Sequence, residues 1–173
     1  DEMQHEHGLK PRHRLLLRVA ALVHEIGGFV SSRAHHKHSY YLIRNSEIFG
    51  LAADELITVA HIARYHRRSV PKGSHTDYIT LPRNTRMVVS KLAAILRVAD
   101  SLDRGHGQQV REFWTQLDED ELTLCVSGVT DLTLERRALA TKGDLFEDIY
   151  GLKVRLEEQP VPQNQPRRPH PVK

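Results

Sequence analysis

Between Pro11 and Ile26 the apolar residues Leu15, Leu16, Val19, Ala20, Leu22, Val23 and Ile26 recur at spacings of three and four. That period predicts a helix over 11–26, stopped by Gly27 and Gly28. "FVSSRAHH" then reads as a loop and "KHSYYLIRNS" as a second helical segment, closed by "IFG". Ala52 to Arg67 is a third, with Leu56, Ile57, Val59, Ala60, Ile62 and Ala63 turned inward. "SVPKGSHTDYITLP" holds two prolines and a glycine and reads as a long loop. Arg83 to Leu102 is a fourth helix, its apolar face built from Met87, Val88, Leu92, Ile95, Leu96 and Ala99.

The period then changes. "REFWTQL" and "ELTLCVSG" alternate apolar and polar residues around "DED", a hairpin signal. "DLTLERRALATKGDLFEDIYG" predicts one helix, with Asp131 as N-cap and Gly151 as stop. "LKVRLEE" alternates again as a third strand. The expected fold class is mainly α: a helical bundle over residues 1–107, then a small β-β-α-β (α+β) unit over 108–158. The Pro-rich stretch 159–173 lacks periodicity and is expected to be disordered. Phe113 or Trp114 is expected to pack on the helix at Leu145 and Phe146. Tyr40 and Tyr41 are expected as core or interface aromatics.

Length and composition narrow the function. The 173 residues, 39% of them hydrophobic, suffice for one domain with an extension. There is no secretory signal and no membrane-length apolar run. Cys125 is the single cysteine, which excludes an internal disulfide scaffold and points to the cytoplasm. The first residues read as the end of a helix, so a fragment of a longer protein is expected. The net charge of +3 comes with clustered arginines, which suits an anionic partner as well as a solvated surface. Histidine is over-used: there are 12, most between His5 and His75.

Several of these histidines meet acids at helix ends. "AALVHEIGG" ends an apolar helix on His24 and Glu25. His35, His36 and His38 cluster at the start of the second helix, and His61 and His66 lie on the third. Asp100 and Asp103 fall at the end of the fourth, with Asp100 four residues from Leu96 and so close to the apolar stripe. A carboxylate there needs a positive partner: a divalent metal, an arginine or a protonated histidine. Imidazole and carboxylate together suit iron, manganese, zinc or magnesium. Direct hydrogen bonds between His24 and Asp100 are the other reading. Ser39, Ser69 and Cys125 lack the context of a nucleophile.

Three blocks, in order, carry a resemblance: "AALVHEIGGFVSSRAHHKHSYYLIRNSEIFG", "IARYHRRSVPK" and "LAAILRVADSLDR". They resemble the C-terminal region of the Ppx/GppA family of exopolyphosphatases and guanosine pentaphosphate phosphohydrolases. The resemblance continues through "DLTLE", "LFEDIYG" and "LKVRLEE". It implies an HD-type helical domain followed by a small α/β domain. His24 then matches the histidine of the His-Asp pair, Glu25 stands in place of the aspartate, and Asp100 matches the last acid. His38 and His66 look like the extra histidines of a two-metal site. A divalent metal (Mg, Mn, Fe or Zn) on His24, Glu25, His38, His66 and Asp100 is what the resemblance implies. The first ligand of that pattern would lie upstream, since His5 and His7 come too late in their helix.

The resemblance also implies that hydrolysis belongs to upstream actin-like domains with glycine-rich phosphate loops, which this chain does not contain. No catalytic residue is assigned. The cations Lys37, Arg64, Arg67, Arg68, Arg97 and Arg104 then become candidates for gripping polyphosphate or guanosine pentaphosphate. The expected partners are such a polyanion, the upstream domains and a second copy of the chain, with no membrane. A metal-dependent phosphohydrolase acting on a nucleotide or alarmone is the alternative, and a nucleic-acid-binding helical domain a weaker third.

Overall fold

The computed structural model describes residue 3 and residues 8–67, 69–129 and 131–160. The expectations for His5, His7, Arg68 and the tail from residue 161 lie outside the described residues. The helices are α1 (Pro11–Val23), α2 (His35–Arg44), α3 (Ala53–Arg64), α4 (Thr76–Ile79), α5 (Arg83–Ser101), α6 (Thr133–Lys142) and α7 (Asp144–Tyr150). The strands are β1 (Glu112–Leu117), β2 (Glu121–Ser127) and β3 (Lys153–Glu158). The fold is mainly α with a small three-stranded sheet. No described helix is long and apolar enough to cross a membrane.

Helix α5 is the spine, and its two faces serve two cores. Leu92 and Leu96 join Leu16 and Ala20 of α1, Tyr40 and Ile43 of α2, and Val59, Ala60, Ile62 and Ala63 of α3. Val89, Ala93, Ala94 and Val98 join the sheet residues Leu122, Leu124, Val126 and Leu156 and the helix residues Leu139, Leu145 and Phe146. Burial of such side chains stabilises by about 1.5–3 kcal/mol each. Arg12 of α1 bridges to Glu55 of α3 and to the carbonyl of Gly50, which fixes the outer corner of the bundle.

The sheet order is β1-β2-β3. β1 and β2 form the expected hairpin, with Leu117 opposite Leu122. β3 runs parallel to β2, with Leu156 opposite Leu124, so α6 and α7 form the crossover that parallel pairing requires.

The structure corrects four expectations. The first helix ends at Val23, and Ile26–Phe29 forms a separate 3₁₀ turn. The third ends at Arg64 rather than Arg67. The Pro-bounded loop holds the short helix α4, whose Tyr78 is buried and bonds Ser90 of α5. The single helix expected over 131–151 is broken at Gly143, because the Lys142 carbonyl accepts from Arg97 Nε at 2.9 Å. Asp131 does accept from the Thr133 N–H, and Gly151 ends α7 with φ +71°.

A fifth expectation concerns the aromatics of β1. Neither Phe113 nor Trp114 joins the core around Leu145 and Phe146. Phe113 is exposed, and Trp114 pairs with Cys125, on the opposite face of the sheet from Leu124 and Val126. Cys125 is fully buried there. Of the tyrosines, Tyr40 is core and Tyr41 is exposed.

Candidate functional site

The stop at "HEIGG" has a steric reason. A Cβ on Gly27 would stand 2.2 Å from the His35 carbonyl oxygen and 2.3 Å from the Ser39 nitrogen. Only glycine lets the 3₁₀ turn press onto α2 at this distance. Ser39 locks the contact: its hydroxyl accepts from the Gly27 N–H at 2.9 Å and donates to the His24 carbonyl at 2.6 Å. Helix α2 starts from Ala34 in the left-handed region at φ 56°, a costly conformation for a residue with a Cβ. That start turns His35, the first residue of α2, towards the end of α1.

Four helix ends therefore meet. His24 caps α1, His35 opens α2, His66 follows the last turn of α3, and Asp100 lies in the last turn of α5. The His24 and His66 rings are edge-on with centroids 4.8 Å apart, and those of His35 and His66 are stacked at 5.2 Å. His35 Nε2 is 3.1 Å from His66 Nε2. His24 Nε2 is 3.6 Å from Asp100 Oδ1. Donor atoms of His24, Glu25 and His66 all lie within 4.8 Å of one another.

The backbone sets the tautomers. His24 Nδ1 is 2.8 Å from the Ala21 carbonyl, and His66 Nδ1 meets the Ala63 carbonyl. A carbonyl only accepts, so in both rings Nδ1 carries the proton and Nε2 presents its lone pair to the centre. Burial holds His66 far below the usual imidazole range, at about 3, and the charges of His24, His35 and Lys142 act in the same direction. Burial and the Arg67 charge also lower His35. Both rings are neutral at pH 7.

Of the residues expected from sequence, the structure gathers His24, Glu25, His66 and Asp100. His38 is set apart. It lies against Gly27, one turn along α2, and takes part in none of the ring or hydrogen-bond contacts of the group. His35 occupies the place expected of it. The unforeseen member is Lys142, from the end of α6. Its ammonium contacts Asp100 Oδ2, and both side chains are nearly buried, at 12% and 11% exposure. Burial and the charges of Arg97 and Arg67 lower its pKa to about 8, and Glu25 opposes them. It remains largely protonated at pH 7, and the contact with Asp100 favours that form. Asp100 thus has its positive partner within the chain.

The candidate phosphate-binding cations divide. Lys37, Arg64 and Arg67 border the histidines closely enough that their charges, after burial and with that of His35, bring His36 down to about 4. Arg64 also lies over the Tyr40 ring at 5.2 Å. Among the described residues, none of these three is ion-paired to a carboxylate. Arg97 overturns its expectation. It is fully buried and bonds Asp144 Oδ1 at 2.6 Å and the Lys142 carbonyl, so it holds α5 to the α6–α7 corner and faces no solvent. Arg104 lies exposed in the turns after α5 and is not among the charges acting on these histidines.

Fold and site together define a helical domain with a histidine- and cation-lined junction of helix ends, closed by a small α+β unit. The chain belongs to the Ppx/GppA phosphatase family, and its residues 1–147 match "Ppx/GppA phosphatase, domain III". It is also similar to a guanosine-5'-triphosphate,3'-diphosphate pyrophosphatase of Pseudoalteromonas translucida (strain TAC 125). The two are 30% identical over 110 residues, which is 63% of this chain and 21% of that protein. The match therefore spans about a fifth of that relative's length.

Proposed function

We propose that this region is the polyanion-gripping part of a Ppx/GppA phosphatase, binding polyphosphate or guanosine pentaphosphate and supporting a dimer. Hydrolysis would then belong to actin-like domains of the whole protein. The observation that carries the reading is the group Lys37, Arg64 and Arg67 around His35 and His36, without carboxylate partners among the described residues. Cations left uncompensated beside neutral imidazoles attract a polyanion through counterion release. Titration of labelled polyphosphate at several salt concentrations tests it. Affinity is expected to fall steeply with salt. The double variant Lys37→Ala, Arg67→Ala should bind at least ~10-fold more weakly, with a log–log salt slope shallower by about 1–2. Absence of binding at low salt, or an unchanged double variant, would reject the reading.

The second reading, a metal-dependent phosphohydrolase, is favoured by the donors of His24, Glu25 and His66 lying together. The engagement of Asp100 by Lys142 weighs against it, because the last acid of that pattern is already neutralised. Phosphate release from a nucleotide by the isolated chain, strictly dependent on added metal, would reverse the order.

A further inference from the structure

His35 poses a problem that its neighbours do not solve. A neutral imidazole has one N–H and one lone pair. His35 Nδ1 faces the Ser32 carbonyl at 3.4 Å, and its Nε2 faces His66 Nε2 at 3.1 Å. His66 has already given its proton to the Ala63 carbonyl, so its Nε2 is a bare acceptor. If His35 donates to Ser32, two lone pairs meet at 3.1 Å. If it donates to His66, its other lone pair faces a carbonyl oxygen. One repulsive contact remains in either tautomer.

A shared cation removes it. With a metal ion at the centre, all three rings donate Nδ1–H to a backbone carbonyl of the residue three positions earlier: Ala21, Ser32 and Ala63. All three Nε2 lone pairs then face the ion. Such outer bonds are the usual way in which a metal-binding imidazole is oriented. In a tetrahedral site with metal–nitrogen bonds of 2.0–2.1 Å, ligand nitrogens stand about 3.3 Å apart. The 3.1 Å between His35 and His66 already matches that edge. Glu25 is exposed and can supply a carboxylate as fourth ligand. Three imidazoles and a carboxylate suit zinc or another borderline divalent ion, not magnesium or calcium.

We infer that His24, His35, His66 and Glu25 form a transition-metal site, with zinc its best-suited ion, and that the Lys142 ammonium is the competing charge that sets its affinity. This inference differs from the ligand set implied by family resemblance, because His35 replaces His38 and Asp100 is held by Lys142. It rests on neither functional reading above, since a metal here could be structural in a domain that only binds.

Metal-stripped protein titrated with Zn²⁺ by calorimetry, and with Co²⁺ followed by its visible absorption, tests the assignment. One ion per chain is expected, with a Co²⁺ spectrum of a four-coordinate nitrogen-rich site. His35→Ala should weaken binding by at least ~10-fold, a loss that even outer-shell changes can produce. His38→Ala should bind as the parent does. Lys142→Met removes a nearby positive charge without touching a ligand and should tighten binding; a gain of affinity cannot come from a failure to fold. Absence of Zn²⁺ and Co²⁺ binding, equal effects of His35→Ala and His38→Ala, or weaker binding by Lys142→Met would each overturn the assignment.

Discussion

Helix α3 and its end bury two histidines five positions apart, each only 1% exposed, in surroundings of opposite character. His66 stands among polar partners: a carbonyl at Nδ1, another imidazole at Nε2, and an acid and an ammonium beyond. His61 stands in a cage of rings, with Tyr40 at 4.9 Å, Tyr78 at 6.1 Å and Tyr65 at 6.2 Å. Neither His61 nitrogen makes a hydrogen bond of good geometry, although the Asp77 backbone lies near enough to oppose the drop in its pKa. Burial is equal at the two places, so burial alone does not mark a site. Convergence of lone pairs on one point does, and only the His66 region has it.

Acid should expose what the two histidines share. Burial lowers His61 to about 4 and His66 to about 3, from 6.5 in the unfolded chain. The unfolded state therefore binds more protons below pH 6.5. The stability contributed by neutral burial is fully present above pH 6.5. It is lost as pH falls towards 4 and 3, at about 1.4 kcal/mol per pH unit for each ring. Denaturant melts between pH 7.5 and 4.5 should show the decline beginning near 6.5, above the carboxylate range. A flat profile down to pH 5 would mean that both rings are protonated in the fold.

Gly27→Ala should separate the two regions. The new Cβ meets backbone atoms of α2, so the turn carrying His24 and Glu25 must move away from His35, while the tyrosine cage is untouched. A loss of about 3 kcal/mol is expected in equilibrium unfolding, the upper part of the usual overpacking range. Stability equal to the parent would show that the turn can relax.

The smallest effects should differ in sign. His61→Leu fills the cage with an apolar group of similar volume and removes two unpaired nitrogens, so a gain of about 1 kcal/mol at pH 7 is expected. His66→Leu strands the Ala63 carbonyl and the His35 ring, and a loss of about 1–2 kcal/mol is expected. Chemical denaturation of both at pH 7 decides the matter, and matching signs would dissolve the contrast.

The sequence made much of this legible, for identifiable reasons. The helices of the bundle and the hairpin follow from apolar period, and His24, His66 and Asp100 stood out because polar groups closed apolar runs. His35 and His38 were harder to separate. They are three apart and share a helix face, and the choice depends on where α2 begins, which a left-handed Ala34 decides. Lys142 was invisible as a site residue, since it is an ordinary lysine in a last helical turn, 42 positions from Asp100. Arg97 was misjudged because charge type was read without burial. The break at Gly143 was hidden because its cause, the Arg97 bond to the Lys142 carbonyl, comes from a helix 45 positions away.

The sharing of α5 has a consequence for how the molecule is made. A ribosome that has released residues up to 107 has delivered the whole helical half, yet Val89, Ala93, Ala94 and Val98 still await the sheet that covers them. Until β3 arrives and pairs, one side of the longest helix is a sticky surface open to chaperones or to other nascent chains. The same dependence runs the other way, because the sheet has no other wall to fold against. The two textures of the sequence thus describe one cooperative unit: heat or denaturant should melt it in one transition, and cleavage between the halves should leave neither able to stand alone.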